Sequence, residues 1–195
     1  MLMNTRRRLL AAACLAFATA ASSAQALPEG KQMRIVVPYS AGGTSDILGR
    51  KLAQELGARL GRTIVVENRA GAGGSIGTES VVHADADGMT LLLHSGAIST
   101  EPALKRKLPY DVTRDLAAVT TVVIGPFAVL VSPQLGIKSI AELVEYAKAN
   151  PGKLNFGTPG IGTSVHLASE QFQVAAGIKM THVPYKGSGP ALTAA

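Results

Sequence analysis

The sequence predicts an α/β fold built on parallel sheets. Two observations carry the prediction: short apolar runs of strand length alternate with longer amphipathic runs of helical period, and glycine-rich loops stand where a strand passes into a helix. The alternation occurs in both halves of the chain, on either side of a stretch with a different pattern. Strands that alternate with helices pair in parallel, with the helices on the faces of the sheet.

In the first half, apolar runs predict strands at 33–38, 63–68 and 89–95. Leucines recur every four residues between the first two strands, and Gly61 follows them, which predicts a helix with its apolar face toward the sheet. These leucines are Leu48, Leu52, Leu56 and Leu60. A second helix is expected to run through Val81 and Val82.

The second half begins with two β-rich runs within 116–132, split by Gly125-Pro126, which suit a crossover between lobes. A helix is predicted at 139–150, because Ser139 and Glu142 form a capping box. Its inward residues are expected to be Ile140, Leu143, Val144 and Ala147.

Two strand–loop–helix units follow this helix. The first ends its helix at Gly177, a typical C-terminal cap. In the second, Pro190 is expected to lie in the first turn of a new helix.

The N-terminus has the pattern of a secretory signal peptide. Arg6, Arg7 and Arg8 precede an uncharged apolar stretch, and Ala24 and Ala26 form an Ala-x-Ala site, which predicts cleavage after Ala26 and a periplasmic protein. The arginines also resemble a twin-arginine export signal, although a plain charged n-region is the favoured interpretation.

Composition argues against several classes of function. The chain carries 19 basic and 13 acidic residues, and removal of residues 1–26 leaves 16 basic residues and a net charge of +3. The remaining basic residues are scattered, so no nucleic-acid partner is expected. Cys14, the only cysteine, lies in the predicted signal peptide, so the mature chain has no thiol chemistry.

Four glycine-rich loops carry the functional prediction. Loop 1 comprises 38–46, loop 2 comprises 71–77, loop 3 comprises 157–166 and loop 4 comprises 184–190. A glycine-rich loop that opens a helix offers free backbone N–H groups at the positive end of the helix dipole, which suits a phosphate or a carboxylate. Several such loops in one exported chain favour an anion site over simple turns.

A nucleotide site is not favoured. Gly71, Gly73 and Gly77 give G-x-G-x-x-x-G, with Ile76 at the place of the third glycine of a dinucleotide fingerprint. No phosphate-binding P-loop motif is present. No cofactor is therefore expected.

An exported α/β hydrolase-like enzyme acting on a small ester or amide is the alternative. It needs a G-x-S-x-G nucleophile elbow, which the sequence lacks. The histidines His83, His94, His166 and His182 show no zinc-site spacing. No catalytic residue and no metal ligand is predicted, and a binding protein is favoured.

A family resemblance covers essentially all of residues 33–195. "PYSAGGTSDILGRKLAQELGARLGRTIVVENRAGAGGSIGT", "KLPYDVTRDLAAVT" and "NFGTPGIGTSVHLASEQF" resemble the Bug-type solute-binding proteins, the extracytoplasmic receptors of tripartite tricarboxylate transporters. The resemblance implies a two-lobed, type II periplasmic-binding-protein fold that holds a di- or tricarboxylate, an amino acid or an aromatic acid between its lobes. Integral membrane transporter subunits are the implied partners.

The same resemblance implies the ligand-binding residues. The family usually has Phe where this chain has Tyr39, so a phenol is added here. Asp46 is interpreted as structural, His166 as more often a packing or capping residue than a contact, and Lys186 as either a solvated charge or a source of positive potential. The implied residues are Tyr39, Ser40, Ala41, Gly42, Gly43, Thr44, Gly71, Gly73, Gly74, Gly77, Gly160, Gly162, Thr163, Ser164, His166, Tyr185 and Lys186.

Family members are longer than this chain. We therefore expect a C-terminally truncated fold: the first part of lobe 1 at 27–100, a crossover at 101–125, and the first part of lobe 2 at 126–195.

Overall fold

A computed structural model describes residues 27–104 and 107–195. The predicted signal peptide at 1–26 lies outside the described residues.

A three-stranded parallel sheet forms the first half of the structure. The strands are β1 (Met33–Val37), β2 (Ile64–Asn68) and β3 (Thr90–Leu92), in the order β2-β1-β3. All pairs are parallel, with Ile35 of the central strand opposite Val66 and Leu91. The three predicted strands are confirmed, and the third is shorter than expected.

Helix α1 (Thr44–Leu60) crosses this sheet where a glycine allows it. A Cβ atom at Gly49 would lie 2.9 Å from Cγ2 of Val37, so the close approach requires glycine. Gly61 adopts a left-handed conformation and ends the helix, as predicted. Leu60 is exposed, contrary to the expected leucine stripe, because the helix face on the sheet is centred on Gly49 and Ala53.

Helix α2 (Ser75–Val82) follows a short 3₁₀ turn (Ala72–Gly74). A Cβ atom at Gly77 would lie 2.6 Å from Cβ of Pro38. The first turn of α2 therefore packs directly on the end of β1, which places loop 2 beside loop 1.

The predicted β-rich runs within 116–132 are not strands. They follow the single-turn helix α3 (Glu101–Leu104), and within the described residues no strand pairs with them. Most of their apolar side chains are exposed to solvent, with Ile124 90% exposed and Val119 82% exposed, whereas Val131 packs against the core around Leu143 and Ala147. Strand propensity alone does not form a ladder without a neighbouring strand to accept its hydrogen bonds.

Helix α4 (Ile140–Ala149) begins at its predicted cap. The Ser139 hydroxyl accepts from the Glu142 N–H at 3.2 Å, and the Glu142 carboxylate accepts from the Lys138 N–H at 2.8 Å. Leu143 and Ala147 are buried as predicted. Ile140 is 49% exposed, because the buried face of the helix is centred on Leu143 and Ala147.

A two-stranded parallel sheet forms the second half. Strands β4 (Asn155–Thr158) and β5 (Thr181–Pro184) are joined by helix α5 (Ser164–Ala176), which ends at Gly177 as predicted. Helix α6 (Ser188–Thr193) follows β5. No helix within the described ranges is both long and apolar enough for a membrane span.

Candidate functional site

The four loops meet at one place. Loops 1 and 2 follow β1 and β2, and loops 3 and 4 follow β4 and β5, so each loop leaves the carboxyl end of a parallel strand. Contacts join loop 1 to loop 4 and loop 2 to loop 3. Ligands of parallel α/β sheets bind at these strand ends. The predicted site residues of both halves are therefore neighbours in the fold.

Loops 1 and 4 contact each other through the backbone. The Ser40 N–H donates to the Lys186 carbonyl at 2.9 Å, and the Ser40 hydroxyl donates to the same oxygen at 3.0 Å. A Cβ atom at Gly187 would lie 2.9 Å from the Ser40 nitrogen. A side chain at position 187 would therefore push the two loops apart.

Loops 2 and 3 approach each other through two glycines. A Cβ atom at Gly160 would lie 3.4 Å from the Cα atom of Gly73. Gly73 has φ +67° and Gly160 has φ +142°, both in the region that favours glycine. Ser164 lies near the turn after β3, with its hydroxyl 3.7 Å from a Cβ atom built on Gly96.

A polar network that includes Asp46, Arg50 and Asn68 fixes the conformation of loop 1. The Asp46 carboxylate, 5% exposed, accepts from the Gly42 N–H at 2.9 Å and pairs with the Arg50 guanidinium at 3.0 Å. Arg50 also donates to the Asn68 side chain at 3.2 Å, and the Asn68 amide donates to the Tyr39 carbonyl at 3.1 Å. The network joins both ends of the loop to α1 and β2.

The charge of Asp46 is balanced inside the protein. Burial by itself raises the pKa of this carboxyl, but hydrogen bonds from the Gly42 N–H, Arg50 and Asn68 outweigh it and hold the pKa below the ordinary value. Asp46 is therefore ionised at neutral pH, and its charge is directed at Arg50 and the Gly42 amide.

The Tyr39 side chain is buried and points at the turn after β3. Its hydroxyl lies 2.7 Å from the Ser95 hydroxyl, and its ring meets the His94 ring edge-on at 5.5 Å. Burial raises the pKa of the Tyr39 phenol, and the bond to Ser95 opposes this only in part. The phenol is neutral at all ordinary pH values.

A buried carboxylate lies beneath loop 2. Glu101, 1% exposed, accepts from the Tyr110 hydroxyl at 2.7 Å and from the Ser75 hydroxyl at 3.3 Å. Burial, followed by the bond to Glu101, raises the pKa of Tyr110 to about 12. A Cβ atom at Gly74 would lie 2.6 Å from Nε2 of His94. Loop 2 therefore rests on a packed polar cluster.

Two histidines support loop 3. The Gly162 N–H donates to Nδ1 of His166 at 3.2 Å, and the His166 ring stacks on the His182 ring at 4.2 Å. Nε2 of His182 lies 2.7 Å from the Thr158 hydroxyl, which accepts from the Gly160 N–H at 3.2 Å. His182 was not among the predicted site residues.

Thr163 closes loop 3 and begins α5. Its hydroxyl donates to the Gly160 carbonyl at 2.8 Å and accepts from the His166 N–H at 3.4 Å. Loop 4 places the exposed Lys186 beside loop 1. The Tyr185 ring packs over Gly157, where a Cβ atom would lie 3.2 Å from it.

Two shallow depressions, of about 390 and 470 Å³, lie away from the loops. One is lined by 29–32 and 60–63, at the amino ends of β1 and β2, and the other lies between α1 and β2. Neither includes a predicted site residue, and the amino ends of parallel strands are not where such folds bind ligands. Among the residues described, no group of three or more His, Cys, Asp or Glu is placed to share a metal ion.

Comparison with known families decides the membership of the chain. The model of the "Tripartite tricarboxylate transporter family receptor" matches residues 48–195. The chain belongs to this receptor family. It is 38% identical over 190 residues to the protein BugT of Bordetella pertussis, a match that covers 95% of this chain and 58% of BugT.

Three solved structures share the fold. The structure of a periplasmic transporter is 38% identical to this chain and has a TM-score of 0.77. The structure of R. palustris Rpa4515 with adipate is 32% identical and has a TM-score of 0.73. The structure of MatC from Rhodopseudomonas palustris with bound malate is 29% identical and has a TM-score of 0.70. Each match covers 85–86% of this chain and 56–57% of the other. The chain thus spans little more than half the length of these relatives.

The comparisons confirm the predicted family and the α/β periplasmic-binding-protein fold class. They include binding proteins of a transport family and give no support to the hydrolase alternative.

Several supporting residues were missed by sequence reasoning. His94 and Ser95 were assigned to a strand at 89–95, although the strand ends at Leu92 and these residues begin the turn. Ligands of parallel sheets bind at the carboxyl ends of the strands, so a third strand predicted to end at Leu92 would have indicated both residues. Glu101 and Tyr110 had no local signal, because only the tertiary structure brings them beneath loop 2.

Proposed function

We propose that this protein is an extracytoplasmic solute-binding receptor that captures a small organic carboxylate between two lobes. One observation carries the proposal: glycine loops from the two sheets contact each other at the carboxyl ends of their strands, through the Ser40–Lys186 bonds and the approach of Gly73 to Gly160. Loops from two sheets that meet in this way form the walls of a binding site.

The chemistry of loop 1 suits an anion. Within the described residues, the backbone N–H groups of Ala41, Gly43 and Thr44 donate to no acceptor, and they stand at the start of the 17-residue helix α1. Free amides at a helix N-terminus favour a carboxylate. The nearby Asp46 charge does not oppose this, because Arg50 balances it.

We assign the ligand contacts to the residues that the family resemblance implies. Loop 1 contributes Tyr39 to Thr44, and loop 2 contributes its four glycines. On the other side, Gly160, Gly162, Thr163, Ser164, Tyr185 and Lys186 complete the site, with His166 behind them. Lys186 is exposed and supplies the positive charge of the group.

The ligand class follows from the walls and from the relatives. Two of the related structures hold adipate and malate, both dicarboxylates. We therefore place a dicarboxylate first, with tricarboxylates, amino acids and aromatic acids as the other members of the class. The biological role is to capture this ligand either for a tripartite tricarboxylate-type transporter or for sensing. In the first case the integral membrane subunits of the transporter are the partners.

The proposal includes the domain plan and the location. Residues 27–100 belong to lobe 1, 101–125 to the crossover and 126–195 to lobe 2. The signal peptide at 1–26 is removed during export to the periplasm. Mass spectrometry of the exported protein should give Leu27 as the first residue, and a mass that retains Arg6 to Arg8 would contradict cleavage.

Calorimetric titration of the native protein tests the function. Adipate, malate, citrate, glutamate and benzoate are the probes, and dimethyl adipate is the matched control because it has the same length without charge. We expect at least one acid to bind with a Kd in the micromolar range or below and the diester not to bind. Equal binding of the diester, or turnover of an ester substrate, would contradict the proposal.

A further inference from the structure

The protonation state of His166 is defined by its hydrogen bond. The Gly162 backbone N–H can only donate, so Nδ1 of His166, at 3.2 Å, must be unprotonated and accept. The ring proton is then on Nε2, which faces Oε1 of Glu170 at 3.7 Å. The bond to loop 3 therefore exists only while His166 is neutral.

His182 connects the same loop to a second ring. It stacks on His166 with centroids 4.2 Å apart and on Phe156 at 4.9 Å. Its Nε2 lies 2.7 Å from the Thr158 hydroxyl, which takes the Gly160 N–H. Two amides of loop 3 are thus held, directly or through Thr158, by one pair of stacked histidines.

Protonation opposes this arrangement. A protonated Nδ1 of His166 is a donor and cannot accept the Gly162 N–H. Two imidazolium rings in contact repel each other, and like charges disfavour the charged form. The charged groups that act on His182 among the described residues are His166 and Glu170, both on α5, while its β4 neighbours Phe156 and Thr158 are uncharged.

The electrostatics agree with the geometry. Burial lowers the pKa of His182 below its usual value, protonation of His166 would lower it further, and Glu170 opposes the shift in part. The folded loop therefore favours the neutral ring. The stabilising contribution of the neutral His182 ring is complete above the pKa of about 6.5 that the residue has in the unfolded chain. It is lost as the pH falls toward the lower pKa that His182 has in the folded protein.

We infer that His166 and His182 form a proton-sensitive support for loop 3, so that acidification releases the Gly162 amide and weakens carboxylate binding. The inference rests on the proposed function for its binding effect. His166 is a positioning residue here, acting through Gly162 rather than by touching the ligand.

Variants of His166 separate this role from simple packing. His166→Asn keeps an acceptor within reach of the Gly162 N–H but does not titrate. We expect the adipate affinity of the native protein to fall about three- to tenfold when the pH is lowered from about 7.5 to 5.5. The affinity of His166→Asn should fall less, because its remaining change comes from the titration of adipate itself. Glu170→Gln should move the midpoint of this pH profile to lower pH, because the Glu170 charge raises the pKa of His182. His83→Asn removes an exposed histidine that lies outside the four loops and should leave the profile unchanged.

Amide NMR gives a readout that does not need ligand. The Gly162 amide shift should titrate in the unsubstituted protein and not in His166→Asn, with thermal melts at neutral pH confirming that both are folded. If no acid binds at neutral pH, the proposed function fails and the Gly162 titration alone decides the inference. A Gly162 amide that does not titrate, a His166→Asn profile equal to that of the unsubstituted protein, or affinity that rises on acidification would overturn it.

Discussion

At the scale of single residues, the loops depend on glycines at which a side chain would either clash with a neighbour or strain the backbone. Gly187 shows this best, because its φ of 164° is ordinary extended backbone and only the 2.9 Å approach to Ser40 requires glycine. At Gly73 and Gly160 the backbone is what favours glycine, with φ of +67° and +142°, since a Cβ atom at Gly160 would make only ordinary contact with Gly73, at 3.4 Å. Sequence alone predicted that these glycines matter, without showing which of the two reasons applies.

Gly187→Ala should weaken carboxylate binding about tenfold or more, because the methyl group must separate loop 4 from loop 1, and overpacking of this kind costs about 1–3 kcal/mol. Calorimetry measures the affinity. Gly125→Ala is the matched control, since a Cβ atom there meets nothing within 4 Å. Equal affinities of the two variants would show that the Ser40–Lys186 contact is unimportant.

Asp46→Asn should lower the free energy of unfolding at neutral pH by about 1–3 kcal/mol, because hydrogen bonds to a charged group are lost. The pKa of Asp46 lies below its usual value, so its contribution is present above pH ~4 and is lost on further acidification. The variant should therefore differ less from the unsubstituted protein in acid. Urea unfolding of both proteins at neutral pH and below pH ~4 measures this difference.

Glu55→Gln is the control for Asp46→Asn. It removes the exposed partner of Lys51 on the same helix and should leave the unfolding free energy nearly unchanged, because solvent screens an exposed ion pair. A similar loss in both variants would mean that the Asp46 network has no special role.

At the scale of elements, Thr163 links a loop to a helix. Its hydroxyl caps α5 and holds the Gly160 carbonyl, so one side chain fixes both the start of the helix and the shape of loop 3. Helix starts and ends were well predicted in this protein, because caps are local: Gly61, Ser139 and Gly177 all act as expected.

Thr163→Ala should destabilise the protein by about 1–2 kcal/mol, the usual effect of losing an N-cap. Carboxylate affinity should fall with it, because loop 3 loses its bond to Gly160. Thr163→Ser retains the hydroxyl and should restore both properties. Thermal melts and calorimetry are the measurements, and a Ser variant as defective as the Ala variant would show that the methyl group, not the hydroxyl, is what matters.

At the scale of the whole molecule, two small cores stand on either side of an extended segment. One is built around Ile35 and Val37, the other around Leu143 and Ala147. Between them, 116–132 exposes most of its apolar side chains, including Phe127 at 59% and Leu130 at 66%. Contiguous exposed apolar side chains promote association with other surfaces.

The 195-residue chain should bind hydrophobic dyes and self-associate at micromolar concentration, because its 116–132 segment exposes apolar side chains. Ile124→Lys with Leu130→Lys should reduce the association, because charges interrupt the apolar run. Analytical ultracentrifugation with dye fluorescence measures both effects. A monomeric chain that binds no dye and melts cooperatively would contradict the prediction.

Outside 116–132, the sequence by itself determined the order of strands and helices, the caps, and the four loops that open helices, because each of these depends on residues near one another in the chain. It also indicated the family, through runs of residues along nearly the whole chain.

Tertiary structure alone decided three things. It left 116–132 without strands, since a strand needs a partner that local propensity cannot supply. It placed Glu101 beneath loop 2. It also brought His182 onto His166, because parallel pairing of β4 with β5 and the return of α5 set that distance. Such contacts join residues far apart in sequence, and no local pattern encodes them.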